Sequence, residues 1–275
     1  MKRLFGACVR AVLVATLVMT PALIVPGAHM DAAQLAVLFA FLAAAVTFAE
    51  YYSDSPSVIA FRDTQLVNRV RFVTLAVMLF GVAHLLNAGI AAQQSSIFLS
   101  QSETSASIAA KLLTPAHKLT EILAESHPDL TPQSIVDAAR FAFFVSLLAS
   151  FSFGFHIYRQ QLPCFMTFNI WINLPLFDPS DPRNQHRRLR RRAVLNIAVG
   201  LLLPFFIPFF LITGGNVLGW RGEMSLQTLI WIICGWAFLP ASMLIRGTAL
   251  YHVTVMMGLA QKQRVAAGKA GLQAV

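Results

Sequence analysis

The chain has 275 residues, of which 57% are hydrophobic and only 12% charged, and its mean hydropathy is +0.65. That leaves too little polar surface to cover a soluble globule of this size, so the composition indicates an integral membrane protein. A net charge of +9 would point a soluble protein toward nucleic acid, but in a membrane protein the sign follows topology, and no nucleic-acid partner is expected.

Lys2, Arg3 and Arg10 lead into an apolar run that predicts a first span over 9–28. Pro26-Gly27-Ala28 is a poor small-x-small cleavage site and another apolar segment follows almost at once, so this helix is expected to be retained. A second span covers 32–52, apolar except for Glu50 near its end. Ser55 and Pro56 supply an N-cap and first-turn proline for a further helix. Between Ser57 and Arg71, Ile59, Leu66, Val67 and Val70 alternate with Arg62, Asp63, Asn68 and Arg69, a pattern that predicts a helix lying in the membrane interface. The third span, 72–91, holds His84 and Asn87. At about 1.5 Å per residue it is long enough for a hydrocarbon core of about 30 Å.

An outer, periplasmic loop follows over 92–135. Ile108, Leu112, Leu119, Ile122 and Leu123 recur at helical spacing there, predicting one or two amphipathic helices broken at Thr114-Pro115. Thr131-Pro132 is a helix start signal for the fourth span, 136–158. In the inner, cytoplasmic loop 159–192, the stretch from Pro163 to Phe177 is too apolar for water and too interrupted to span, which predicts an interfacial or re-entrant segment. The loop closes on the block Arg183 to Arg192, which holds six arginines. The fifth span, 193–214, contains Pro204 and Pro208 and is expected to kink. The sixth, 226–246, carries Trp231, Trp236 and Pro240, continues as helix to Lys262, and gives way to a flexible tail over 263–275.

The expected fold is therefore all-α: a single polytopic membrane domain over 1–275 with six transmembrane helices. A block as basic as Arg183 to Arg192 resists translocation, so it stays on the cytoplasmic side and fixes the orientation of every other segment. Under that map seventeen Lys/Arg and five acids lie inside, against four Lys/Arg and seven acids outside. This positive-inside asymmetry predicts a bacterial-type inner membrane with both termini cytoplasmic. No internal repeat stands out, and the inverted repeat of many transporters is not visible.

Few residues carry a chemical signal. Glu50, His156, Arg246 and His252 fall at the inner ends of spans two, four and six beside Tyr51, Tyr52, Tyr158 and Tyr251. They form a candidate polar cluster in which Glu50 pairs with Arg246 and the histidines titrate or hold a ligand; an aromatic belt with snorkelling charges is the plainer reading. His84 and Asn87 are the candidate intramembrane polar residues, read either as a neutral hydrogen-bonding pair or as part of a pathway. A bis-histidine haem would need two histidines at one depth; His84 and His156 differ in depth, and His156 with His252 is possible in depth but carries no further signal, so no cofactor is expected. Arg183, Arg187, Arg188, Arg190, Arg191 and Arg192 are candidates for contact with anionic lipid headgroups or a partner, beyond their role as a topological anchor. Cys8, Cys164 and Cys234 lack metal-ligand spacing, and neither protease, hydrolase and nucleotide-binding motifs nor an acidic pair within a span is present.

No catalytic or metal-binding residue is expected. The expectation is a non-enzymatic membrane protein that serves as accessory, assembly or regulatory partner of a larger membrane complex. A small-solute or ion transporter with a pathway near His84 and the Pro204/Pro208 kink is the alternative, and a lipid-acting enzyme at the cytoplasmic edge the third reading.

Overall fold

The computed structural model describes residues 2–25, 30–54, 59–62, 65–95, 119–120, 123, 130–159, 185–218 and 225–273. Among these there are six long helices and no strand: α1 (Lys2–Ile24), α2 (Met30–Tyr52), α3 (Gln65–Ser95), α4 (Pro132–Arg159), α5 (Gln185–Leu218) and α6 (Leu226–Gln273). Each contains a segment long and apolar enough to cross a membrane. The stretch from Pro163 to Phe177 lies outside the described residues, as does most of the outer loop. Of the predicted outer helices, Leu119, Thr120 and Leu123 are described; they are helical, and both leucines are fully buried.

Local chemistry explains where the helices begin. Thr131 caps α4: its Oγ1 accepts from the Ser134 N–H at 3.3 Å, and its backbone oxygen accepts the same N–H at 3.0 Å. Pro132, whose missing N–H costs nothing in a first turn, follows at once.

Three boundaries differ from expectation. The helix predicted to lie in the interface over 57–71 is instead a turn at 59–62 followed by the opening turns of α3 itself. Phe61 holds a left-handed backbone with φ of 60°, which ends any helix there, and its side chain is buried. From Gln185 onward the arginine block is not loop but the first two turns of α5. Arginine is a good helix former, and the block has an apolar stripe, since Leu189 and Ala193 are buried while Arg187, Arg188, Arg190, Arg191 and Arg192 are exposed. The expected flexible tail 263–275 is helical up to Gln273, which suits its alanine content and lack of proline.

α6 is the axis of the bundle and packs against α5, α4, α3 and α1, whereas α2 packs chiefly on α1. Two cores result. One joins Met78, Leu79, Val82 and Leu86 of α3 to Ile135, Ala138 and Ala142 of α4 and Ile230, Ile233 and Trp236 of α6. The other joins Val67 of α3, Phe153 of α4, Leu189 and Ala193 of α5, and Ile245 and Val253 of α6. The start of α3 therefore meets the end of α4, the start of α5 and the second half of α6, so successive helices run antiparallel. We call the end marked by the second core the basic end. Between the cores the surface is apolar: Phe41, Phe80, Phe151 and Phe205 all stand exposed. Water would not tolerate such a surface, but lipid tails do.

The α5–α6 hairpin is drawn tight by glycine. A Cβ on Gly247 would lie 3.0 Å from the Ile197 nitrogen and 3.1 Å from the Ala193 oxygen, so backbone meets backbone there. Further along, α5 passes both prolines as one helix. Pro208 has no N–H to offer the Pro204 carbonyl one turn back, and the indole Nε1–H of Trp236 donates to that oxygen instead, at 3.0 Å in a buried setting. The same indole stacks on Phe143 of α4 with centroids 5.4 Å apart. One tryptophan thus ties three helices at the point where a proline leaves the ladder incomplete.

Candidate functional site

At the basic end the connection from α2 to α3 is built from charged side chains satisfying backbone. The last carbonyls of α2 lack helical donors, and Arg62 supplies them: its Nη1 donates to the Glu50 oxygen at 2.9 Å and the Ser53 oxygen at 2.6 Å. The Glu50 carboxylate, itself buried, accepts the Ile59 N–H at 3.0 Å. Asn68 Nδ2 donates to the Ala60 and Phe61 oxygens at 3.3 and 3.1 Å, holding the left-handed turn against α3. Arg3 of α1 pairs with Asp54 just past α2, and the Arg10 guanidinium lies 4.6 Å from the centroid of the Tyr51 ring.

Deeper in the same layer, α3 and α6 contribute an arginine each. Arg71 follows Val67 by one turn and precedes Thr74 and Met78, so it stands on the inward stripe of α3. Arg246 occupies the matching place on α6, between buried Ser242 and Ala249. The two guanidinium groups are within Coulombic reach of each other, and Tyr51 is within reach of Arg71. Each Nε is fully buried and has no hydrogen-bond partner. Nothing in the local sequence announces this pair. The signal that finds Arg71 is its register with Val67 and Met78, which a reading of residues 57–71 as an interfacial helix conceals.

The four residues of the expected polar cluster have different surroundings. The Glu50 carboxylate accepts the Ile59 amide N–H, Arg246 is within Coulombic reach of Arg71, His252 is half-buried further along α6, and His156 is exposed on α4. Among the described residues no three His, Cys, Asp or Glu side chains come together in a way that could hold a metal ion.

His84 and Asn87 point apart. Asn87 Nδ2 donates to the Ile24 oxygen at the end of α1, at 3.0 Å, and so ties α3 to α1. His84 is exposed on the outer face of the bundle, in an exposed stripe with Val73, Val77, Phe80 and Ala88. Of the arginine block, Arg187, Arg188, Arg190, Arg191 and Arg192 are exposed on α5, and Arg183 lies outside the described residues. A groove of about 400 Å³ opens between α1, α2 and the start of α6, lined by Val18, Leu35, Phe39, Gln227 and Trp231. Gln227 is buried there with no partner for its Oε1. His84 is not among the groove's lining residues.

Among the described residues the arrangement is that of a six-helix bundle of membrane type, with an arginine-rich end and a largely apolar surface that includes the exposed His84 imidazole on α3. Comparison with protein families, curated proteins and solved structures finds no match for the chain.

Proposed function

We propose that the chain is a multi-pass protein of a bacterial-type inner membrane, oriented with its basic end toward the cytoplasm. In this reading it serves without catalysis as an accessory, assembly or regulatory partner of a larger membrane complex. The orientation rests on the charge partition, since Arg3, Arg10, Arg62, Arg71 and Arg187 to Arg192 gather at one end of the bundle.

His84 carries the proposal of a partner. It lies 13 residues along α3 from Arg71, roughly 20 Å at the helical rise, and therefore well within a hydrocarbon core of about 30 Å. An imidazole facing lipid at that depth leaves both ring nitrogens without partners, and polar groups inside a bilayer are costly for that reason. Asn87 faces away from it, its Nδ2 donating to the Ile24 oxygen. A transmembrane helix of another protein, bringing a hydrogen-bonding side chain against the stripe of Val77, Phe80, His84 and Ala88, would. Small and β-branched neighbours such as Ala88 and Val77 allow close helix approach.

A photo-crosslinking residue placed at Val77, Phe80 or Ala88 in the native membrane tests this. The expected result is a discrete adduct with one other membrane protein, abolished by His84→Leu, together with depletion of that protein when the chain is deleted. Adducts with lipid or with a second copy alone, or an adduct indifferent to His84→Leu, overturn it.

A further inference from the structure

We propose that Arg71 and Arg246, with Tyr51 beside them, form a binding site for a phosphate-bearing anion between α3, α6 and the end of α2, inside the basic end of the bundle.

The two side chains are difficult to explain as packing alone. Both are half-buried, and like charges brought together where the dielectric is low repel each other while forfeiting water. A buried ion normally survives because an opposite charge and hydrogen bonds compensate it. Among the described residues, the charged and polar groups acting on Arg71 are Arg246 and Tyr51. Of the nearby acids, Asp54 pairs with Arg3, and the Glu50 carboxylate accepts the Ile59 N–H. The buried Nε of each arginine lacks an acceptor altogether.

An oxyanion placed between the two groups answers each deficit. A guanidinium presents its N–H groups as a planar fork, and a phosphate has enough oxygens to accept from two forks at once. The Tyr51 hydroxyl supplies a further neutral donor, and Arg10, seated over the Tyr51 ring, adds a third positive charge to the layer. The site is distinct from the exposed block on α5, which offers a diffuse charged surface. Here two cations are held on the inward faces of α3 and α6 by the packing of Val67, Ile245 and Ala249. Its depth, two turns into α3, suits a phospholipid headgroup entering between helices, and its position at the bundle's end also admits a soluble phosphate ester. The recognising chemistry is the same for both.

The test uses the full chain, delipidated in detergent, with three probes: dioleoylphosphatidylglycerol, dioleoylglycerol, which has the same tails without phosphate, and glycerol 1-phosphate. Binding is read by native mass spectrometry for the lipids and by thermal shift for the soluble ester. Wild type is expected to bind one phosphate-bearing probe at least tenfold more tightly than Arg71→Gln/Arg246→Gln, and to show no such difference with dioleoylglycerol. A difference confined to the lipid assigns a headgroup, and one confined to glycerol 1-phosphate assigns a soluble ester. Equal binding by wild type and the double variant overturns the proposal. So does an equal loss in the charge-matched Arg188→Gln/Arg191→Gln on the exposed face of α5. Folding is controlled separately: without any anion, Arg71→Gln removes one of two repelling groups and should leave the thermal midpoint unchanged or raise it. A lowered midpoint would mean that Arg71 has a structural partner within the protein, which also overturns the site.

Discussion

Trp236→Phe isolates one hydrogen bond whose existence depends on a proline elsewhere in the fold. The Pro204 carbonyl is denied its helical donor by Pro208 and receives the Trp236 indole N–H at 3.0 Å. Phenylalanine keeps an aromatic ring against Phe143 but removes the donor, leaving a buried carbonyl unpaired. Such a group costs about 1–3 kcal/mol in a protein interior. Interhelical hydrogen bonds in membranes average about 0.6 kcal/mol and reach about 1.7. The expected destabilisation is therefore about 1–2 kcal/mol, measured by reversible unfolding of the full chain in mixed micelles with increasing dodecyl sulfate. The decisive comparison is made in a Pro208→Ala background. Alanine restores an N–H one turn after Pro204, the carbonyl regains its intrahelical partner, and Trp236→Phe should then cost only the lost ring volume. A coupling of about 1 kcal/mol between the two positions is expected, well above the roughly 0.3–0.5 kcal/mol scatter of independent sites. If Trp236→Phe costs the same with proline or alanine at 208, the indole is not substituting for the missing helical donor.

Gly247→Leu should lower the thermal midpoint in detergent by an amount corresponding to about 1–3 kcal/mol of overpacking, because any Cβ there meets the backbone of Ala193 and Ile197 at about van der Waals contact or closer. An unchanged midpoint would show that α5 and α6 do not approach so closely. Asn87→Leu removes the donor to the Ile24 carbonyl and should cost about 0.5–1.5 kcal/mol, with faster amide exchange confined to the last turn of α1; exchange that does not change there would contradict the tie between α3 and α1.

All six apolar helices were legible in the sequence, because each places about twenty hydrophobic residues in a row, and the signal needs no knowledge of neighbours. Thr131-Pro132 was equally legible, since capping is settled within four residues. What lay beyond local reading was direction. His84 and Asn87 sit three residues apart on α3, less than one turn, yet one faces outward and the other reaches the end of α1. Which way each faces depends on where α1 and α4 pack. Arg71 was counted as one more interfacial charge because its register with the core becomes apparent only once α3 is known to begin at Gln65. Phe61 hid the same boundary, as nothing in its residue type announces a left-handed turn. The helical start of α5 was hidden for the opposite reason. A run of arginines reads as topology, and the apolar stripe of Leu189 and Ala193 within it is too short to stand out.

The position of α6 sets the order in which the fold can become complete. Helices α1 to α5 precede it in the chain, so each enters the membrane before the surface it packs against exists. The α1–α2 and α3–α4 pairs can form early, but the inward faces of α3 and α4 stay open to lipid until α6 slides between them and α5. Closure around α6 therefore comes after α1 to α5 have been made. A chain stopped before Leu226 would lack the surface on which α3, α4 and α5 pack.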